Sequence, residues 1–518
     1  MINFVIYNIC NFILSYYWVL FPKKINNNNL QDINFINIDF TNYKRVRSYV
    51  FKDNFVYQKK NISIGTFEFL NYLKKTGGGN GIDLSKKNIF KWYKVNKFKK
   101  NYLWKNEYIT KRVLNILYNY EFITSASSKE EKLLINKIVY IHLKRFLFEI
   151  NNKKINQITC LELKTLILSS FILSKKLHKY IYEVEKILLK QIDENGMHKS
   201  YNILEHAKCI NNIQEIKKIL LYYKLSLPES INYIIINMTS TLNNYIHEDK
   251  SIALFNGANN NYNKKIFELI NQAEFIKSKT YINNVNGIAF YFDKEKKFFF
   301  EVVQPSSKEF SNSLSAGTLS VEFSADGEKI ITNCGASEST GANPEYLRFT
   351  AAHSTIILNN TNVSEIKQKL PHAKFPGNVS FNKIDESQNI LFEGAHNGYQ
   401  KRMKKIIKRK ININKKNINI LGEDTIISLN SNKSDTVFHI RFHLMPGIIT
   451  NITNNKKSVI LKTKKGNVFL FESNSEISLE NSIYVDNNLT KQTQQIVIKG
   501  IVSKQKETRK WSIVKYAK

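Results

Sequence analysis

Apolar residues recur at three- and four-residue spacing from about Ile64 to Ile270, and then at every second position from about Tyr281 onward. The first period belongs to helices with one buried face, the second to half-buried strands. Leu133-Leu134, Ile138, Tyr140-Ile141, Leu143 and Phe146-Leu147 form one helical stripe. Ser128-Lys129-Glu130-Glu131 just ahead reads as a capping box that starts this helix. Similar stripes occupy Leu161–Tyr180, Val184–Ile192, Ile203–Tyr223 and Ile231–Ile246, with short polar breaks between them, one carrying Pro228. The spacing predicts successive helical hairpins and leaves toroid, solenoid and bundle open.

In the second region Thr318–Phe323 alternates, Asp326-Gly327 follows, and Lys329–Thr332 continues. Asp-Gly between alternating runs predicts a tight hairpin. Gly287–Phe292 and Phe298–Val303, on either side of Asp293–Lys297, predict another. Further strand-like runs lie at Ser354–Leu358, Lys408–Leu421, Thr436–Leu444, Ser458–Leu461, Val468–Phe471 and Gln495–Ile501. Many strands without intervening helices imply a large antiparallel sheet, built as a sandwich. The plan is thus an N-terminal segment over 1–60, a helical domain over 61–270 and an all-β domain over 281–518, with Asn26–Asn29 and Asn259–Asn263 as loops.

Composition adds a few bounds. With 518 residues, 42% of them hydrophobic, the chain can fill the cores of two or three domains. Its formal net charge of +34 suits an acidic partner, although a Lys-, Asn- and Ile-rich composition would produce the same excess. No nucleic-acid motif accompanies the charge, so nucleic acid is not an expected partner. Cys10, Cys160, Cys209 and Cys334 show no CxxC spacing, which argues against a disulfide framework. Met1 to Pro22 carries no charged side chain and precedes Lys23-Lys24. That length could just span a bilayer, but Asn3, Asn8, Asn11 and Ser15 interrupt it, which favours a buried or interfacial segment with membrane contact through the N-terminus. No basic stretch or small-residue cleavage site marks a signal peptide.

The motif order carries a resemblance. Ala316-Gly317-Thr318-Leu319-Ser320, then Asn333-Cys334-Gly335-Ala336, then Tyr346 to Leu358 (YLRFTAAHSTIIL) resemble the β-sheet domain of heparinase II/III-like proteins. His396–Tyr399, Gly422-Glu423-Asp424, and Arg441–Leu444 with Pro446-Gly447 continue the match in order. In the helical half Trp104, Arg112 and Leu114–Leu117, then Asn195–Ser200, then Ala253–Gly257 are similar to that family's motifs. The resemblance implies an α+β multidomain protein: an incomplete (α/α) toroid followed by an antiparallel β-sandwich, with a cleft between them and a setting in the periplasm or cell envelope.

The activity it implies is a polysaccharide lyase acting on uronate-containing glycans by β-elimination. That reaction needs a group to neutralise the uronate carboxylate, a base for the C5 proton and an acid for the oxygen leaving C4. His198 matches a family motif as neutraliser or base, and Tyr201 beside it could be a phenolic acid or base. Arg348 could clamp a carboxylate. His353 matches a position that binds zinc in some relatives, and Tyr399 could present a phenol. Each also has a plain structural reading. Ser313 and Ser315 stand where the family carries two histidines, Asn333 where some members carry a zinc-binding aspartate, and Met445 and Ile407 where further histidines are expected. With so few ligands left, neither zinc nor another cofactor is expected. Losing the histidine at Ser313 shifts the expected base to a tyrosine, whose ionisation Arg348 would ease. The resemblance therefore leaves two functions, a lyase on an acidic polysaccharide or oligosaccharide and a non-catalytic glycan-binding envelope protein.

Overall fold

The computed structural model describes residues 2–23, 25, 30, 65–98, 102–154, 157–173, 178–225, 228–272, 287–304, 314–337, 345–366, 376–429, 436–486 and 489–516. Ser313, the Asn26–Asn29 loop and most of the 1–60 segment lie outside the described residues. The chain forms two compact units. One comprises 1–192 with 208–235, the other 193–207 with 236–518.

The described helices are α1 (Ile2–Leu20), α2 (Phe69–Thr76), α3 (Gly78–Asn96), α4 (Asn106–Tyr118), α5 (Tyr120–Thr124), α6 (Lys129–Asn151), α7 (Cys160–Ile172), α8 (His178–Gln191), α9 (Ile203–Tyr222), α10 (Glu229–Asn244) and α11 (Asn263–Asn271). The capping box is present at α6, where the Ser128 hydroxyl accepts the Glu131 N–H and the Glu131 carboxylate accepts the Ser128 N–H. A second box, Thr159 with Glu162, starts α7, and the Leu161–Tyr180 stripe of the sequence is divided between α7 and α8. In the first unit the Arg112 guanidinium lies 4.2 Å from the Trp92 ring centre and 4.8 Å from that of Trp104, and donates to the Gly65 and Leu103 carbonyls. The Trp104 and Arg112 motif thus builds core. Cys160 and Cys209, far apart in sequence, are both buried, with their sulfurs 2.7 Å apart.

The second unit carries two antiparallel sheets. One runs β1 (Ile288–Phe292), β2 (Lys296–Glu301), β3 (Val321–Ala325), β4 (Glu328–Thr332), β10 (Thr436–Leu444), β15 (Leu489–Val502) and β14 (Ile477–Asp486), and β5 (Ile356–Leu358) also pairs β10. The other runs β11 (Ile449–Ile452), β12 (Ser458–Lys462), β13 (Val468–Ser473), β16 (Lys506–Tyr516), β9 (Asn419–Ser428), β8 (Lys405–Asn414), β7 (Asn389–His396) and β6 (Val379–Asp385). One core joins them, with Phe300, Phe323 and Phe442 from the first sheet and Phe392, Ile411 and Trp511 from the second. Gly422 exists for this core, since a Cβ there would come within 2.0 Å of the Trp511 indole. Asp326 and Gly327 take positive φ at the β3–β4 turn, as the Asp-Gly signal predicts. The Lys408–Leu421 run is two strands with a turn between them, and one short helix, α12 (Gln400–Met403), interrupts the strands.

A buried ion cluster pins the chain leading into the sheets. Glu322 on β3 accepts from His247 Nε2 (3.0 Å), Lys329 Nζ (3.0 Å), the Leu254 N–H (3.1 Å), the Thr332 hydroxyl (3.1 Å) and the Asn333 N–H (3.0 Å). Burial alone would raise its carboxyl, but Lys329 and His247 hold it down at about 2. Lys329 also donates to the Ile252 carbonyl (3.0 Å), so the 252–256 segment is bonded to β3 and β4 from both sides.

Candidate active site

Asp193 to Tyr201 forms a tight loop between α8 and α9. Asp193 Oδ1 accepts the N–H groups of Asn195 (3.0 Å) and Met197 (2.8 Å), and burial pushes this carboxyl up to about 6. Gly196 turns the loop at φ +78°, where a side chain would also strike Asn237 at 2.8 Å. The His198 N–H donates to His206 Nδ1 (3.1 Å), and His206 Nε2 donates to the Met238 carbonyl (2.8 Å). Burial pushes His206 down to about 3, so it stays neutral in this tautomer. His198 Nδ1 faces the Ser200 hydroxyl (2.8 Å) and accepts the Ser200 N–H (3.2 Å). Burial pushes His198 down to about 4. A neutral His198 accepting at Nδ1 carries its proton on Nε2.

Tyr201 is buried and held at φ 49°, with its ring against Gly287. Burial and a hydrogen bond to Asp193 push its phenol above the ordinary range. A carboxylate neighbour keeps the phenol protonated, which is the reverse of the eased ionisation expected from Arg348. Asn256 adopts φ 53°, a left-handed conformation that Asn tolerates better than most residues. Its amide donates to the Tyr201 carbonyl (3.4 Å) and bonds the Glu301 carboxyl, while its Oδ1 accepts the Ser315 N–H (3.1 Å). Leu319, next to the same network, sits at φ 64°. Each such conformation costs about 1–3 kcal/mol, and clusters of them mark functional sites.

Glu301 closes β2 inside the network. The Ser320 hydroxyl donates to it (2.8 Å), and burial pushes its carboxyl up to about 7. At Gly317 a Cβ would fall 2.6 Å from Glu301 Oε2 and 3.0 Å from His353 Cγ, so glycine lets the acid and the imidazole approach the same backbone. His353 is 2% exposed, and neither ring nitrogen has a hydrogen-bond partner. Burial pushes it down to about 4, so it is a neutral imidazole with unused polar atoms. The Ser315 hydroxyl is likewise buried and unpartnered. Buried polar groups rarely lack partners, and such groups call for an explanation.

His198 and Tyr201 from the loop, and His353 from the sheet, are thus linked through Asn256 and Glu301. The other two expected residues are placed differently. Arg348 donates from Nε (3.1 Å) and Nη2 (2.6 Å) to the Leu314 carbonyl and so holds the loop that carries Ser315. Tyr399 is wholly buried in the sandwich core, with its hydroxyl on the Thr361 carbonyl (2.9 Å). That position serves packing and removes Tyr399 from the candidate acid–base set.

Residues 285–512 match the family described as heparinase II/III-like, C-terminal. A solved heparinase III superposes with a TM-score of 0.71 at 13% identity, covering 97% of this chain and 88% of its own. The heparan sulfate lyase HepC from Pedobacter heparinus gives 0.58 at 12% identity, over 98% and 88%. Another heparinase III gives 0.64 at 10%, over 97% and 88%. Residues 285–512 form a heparinase II/III-like C-terminal region. No curated protein matches its sequence. The structural likenesses establish the fold, an incomplete helical toroid followed by a β-sandwich.

The residues present do not fit the zinc that some members of the resembling family bind. Among the described residues no group of three or more His, Cys, Asp or Glu side chains could hold a metal ion. His353 is one imidazole, and His443 is committed to the Ser482 hydroxyl (2.7 Å) and the Ala351 carbonyl (3.0 Å). Zinc needs three or four such ligands.

Sequence reasoning assigned no role to Asn256, Glu301 or His206. Asn256 stood inside a quoted motif, and Glu301 closes the apolar run Phe298-Phe299-Phe300, where an acid is out of pattern. An open groove of about 440 Å³ lies on the outer face of the second sheet, between Leu391, Leu421, Lys410 and Lys510, and none of the candidate residues lines it.

Proposed function

We propose that this protein is a polysaccharide lyase that cleaves uronate-containing acidic glycans by β-elimination. The observation that carries the reading is the unsatisfied, strained polar network around Asn256 in a heparinase-like fold. His198, which matches a family motif for a neutraliser or base, is assigned to the uronate carboxylate. Glu301, raised by burial to about 7, is mostly protonated below that pH and there adds little negative charge against an acidic substrate. His353 has a free lone pair to take the C5 proton. The C5–H electrons form the C4–C5 double bond, and the C4–O bond breaks. Tyr201 gives its proton to the leaving oxygen and regains one through Asp193.

A second reading, a glycan-binding envelope protein without turnover, is favoured by the serine at position 315 and by the use of Arg348 as a backbone clamp. Ultraviolet absorbance of the unsaturated uronate product, followed across a panel of acidic polysaccharides, decides between them. Turnover that is lost in Tyr201→Phe with glycan affinity retained supports the lyase. Binding without absorbance gain on any uronate polymer supports the second reading.

A further inference from the structure

The outward face of α1 is independent of the elimination chemistry and has no role in it. This helix is split lengthwise. Ser15, Trp18 and Val19 are buried, the Tyr7 hydroxyl (2.5 Å) and the Asn11 amide (3.2 Å) both donate to Glu149 of α6, and the Tyr7 ring stacks on Phe148 at 5.4 Å. The opposite side presents Phe12 (53% exposed), Ile13, Tyr17, Leu20 (60%) and Phe21 (62%). Positions 12–13, 16–17 and 20–21 repeat at the four-residue spacing of one helical face. No charged residue occurs from Met1 to Pro22, so the helix itself adds no charge to that face.

The apolar strip continues beyond the helix and acquires a basic edge. Phe12 lies 4.8 Å from Tyr16, and Tyr16 stacks at 4.8 Å on the exposed Phe98, just past α3. Lys97 Nζ sits 5.1 Å from the Phe98 ring centre, and Lys94 and Val95 are exposed on the last turn of α3. Lys23 is exposed after α1, where its backbone N–H bonds the Tyr140 hydroxyl of α6. Glu149 is turned to the inner side, onto Tyr7 and Asn11.

We propose that this aromatic face, bordered by Lys23, Lys94 and Lys97, seats the protein on an anionic lipid surface with α1 lying in the plane of the interface. Aromatic rings favour the headgroup level, and apolar burial combines with attraction of lysines to anionic headgroups. Spanning is disfavoured: among the described residues no helix is long and apolar enough to cross a membrane, and the inner face of α1 is bonded to α6. A second copy is a poorer occupant. Pairing this face with itself would bring the same lysines together, on chains that each carry +34.

The test is co-sedimentation of the full chain with phosphatidylcholine vesicles, with and without phosphatidylglycerol. An environment-sensitive dye on Cys10, which is exposed while Cys160, Cys209 and Cys334 are buried, reports entry into lipid. The expected result is binding to phosphatidylglycerol vesicles with a blue-shifted dye, weakened severalfold by salt. Phe12→Ser/Phe21→Ser should lower the partition coefficient about tenfold or more, and Lys94→Glu/Lys97→Glu should remove the lipid preference. Melting temperature should hold in both, since Phe12, Phe21 and Lys94 are exposed and Lys97 is half-buried. The proposal is overturned if the wild type does not bind, or if the Phe12→Ser/Phe21→Ser protein binds equally well. It is also overturned if the wild type is a dimer that this double variant separates while vesicles bind neither.

Discussion

Two buried polar clusters lie in the same unit, and they differ in one respect. Around Glu322 each carboxylate oxygen is taken: five donors converge on it, and His247 uses its other nitrogen on the Ser324 hydroxyl (2.9 Å). Around Glu301 and His353 the accounting is incomplete, with both imidazole nitrogens and the Ser315 hydroxyl unpartnered and with Tyr201, Asn256 and Leu319 in left-handed backbone conformations. Saturation is what a structural cluster needs, because any unpaired buried charge costs several kcal/mol. Incomplete satisfaction costs stability and is kept where a ligand completes it. Burial alone would not separate the two, since Glu322, Glu301 and His353 are all within 2% of full burial.

The largest effect should come from breaking the saturated cluster. Glu322→Ala leaves Lys329 and His247 facing each other without their acceptor. Removing one partner of a buried pair costs about 3–5 kcal/mol. Urea unfolding should show that loss, and a loss below about 1 kcal/mol would erase the distinction drawn between the clusters.

Chemistry comes next. His198→Ala and Tyr201→Phe should each lower kcat by about a hundredfold or more, with the urea midpoint little changed for Tyr201→Phe. Tyr399→Phe deletes one hydrogen bond to the Thr361 carbonyl and should leave kcat within about twofold while costing about 1 kcal/mol of stability. The reverse ranking of Tyr201 and Tyr399 would restore the core phenol as the acid.

A smaller effect separates the two acids by pH. Glu301 is raised to about 7, so the folded state keeps a proton that the unfolded carboxyl releases near its ordinary value. Its contribution to stability is full below about 4.5 and is lost as pH rises through about 7, on the order of 3 kcal/mol in all. Glu301→Gln should flatten that part of the stability profile and hold activity above pH 7, where the wild type should decline. Glu322, held at about 2, has the opposite sign: its contribution is present above the ordinary carboxylate value and is lost only as pH falls toward 2. If activity above pH 7 is the same in Glu301→Gln and wild type, protonation of Glu301 has no part in the reaction.

Much of this arrangement was legible in the sequence, and the illegible part has a physical reason. Period alone located the helices from Phe69 to Asn271 and the strands from Ile288, and a motif singled out His198 and His353 as candidates. Asn256 and Glu301 escaped because their importance comes from tertiary convergence: one amide turned left-handed toward Tyr201 and Ser315, one acid buried beneath Gly317. Tyr399 misled for the same reason. A tyrosine after a turn reads alike whether it faces a cleft or the core, and only the packing of β5 to β8 around it distinguishes the two. Arg348 carried a guanidinium suited to a carboxylate, yet the Leu314 carbonyl already occupies it.

The smallest expected change in stability belongs to His353, and it is the most discriminating. A neutral imidazole with two unpartnered nitrogens makes no hydrogen bond whose loss would be felt, and its burial already costs folding free energy. His353→Leu keeps the volume roughly and removes the unsatisfied atoms, so unfolding free energy should shift by less than about 1 kcal/mol, in the stabilising direction. Turnover should nevertheless disappear, because leucine offers no lone pair to the C5 proton; stability retained with function lost is the pattern of a residue kept for chemistry. A zinc ligand would behave in the opposite way, with destabilisation and loss of bound metal together. Elemental analysis of protein purified without added metal should find zinc well below one per chain in wild type and variant alike. One zinc per chain in the wild type, lost together with stability in His353→Leu, would show that this imidazole completes a metal centre instead of serving as the base.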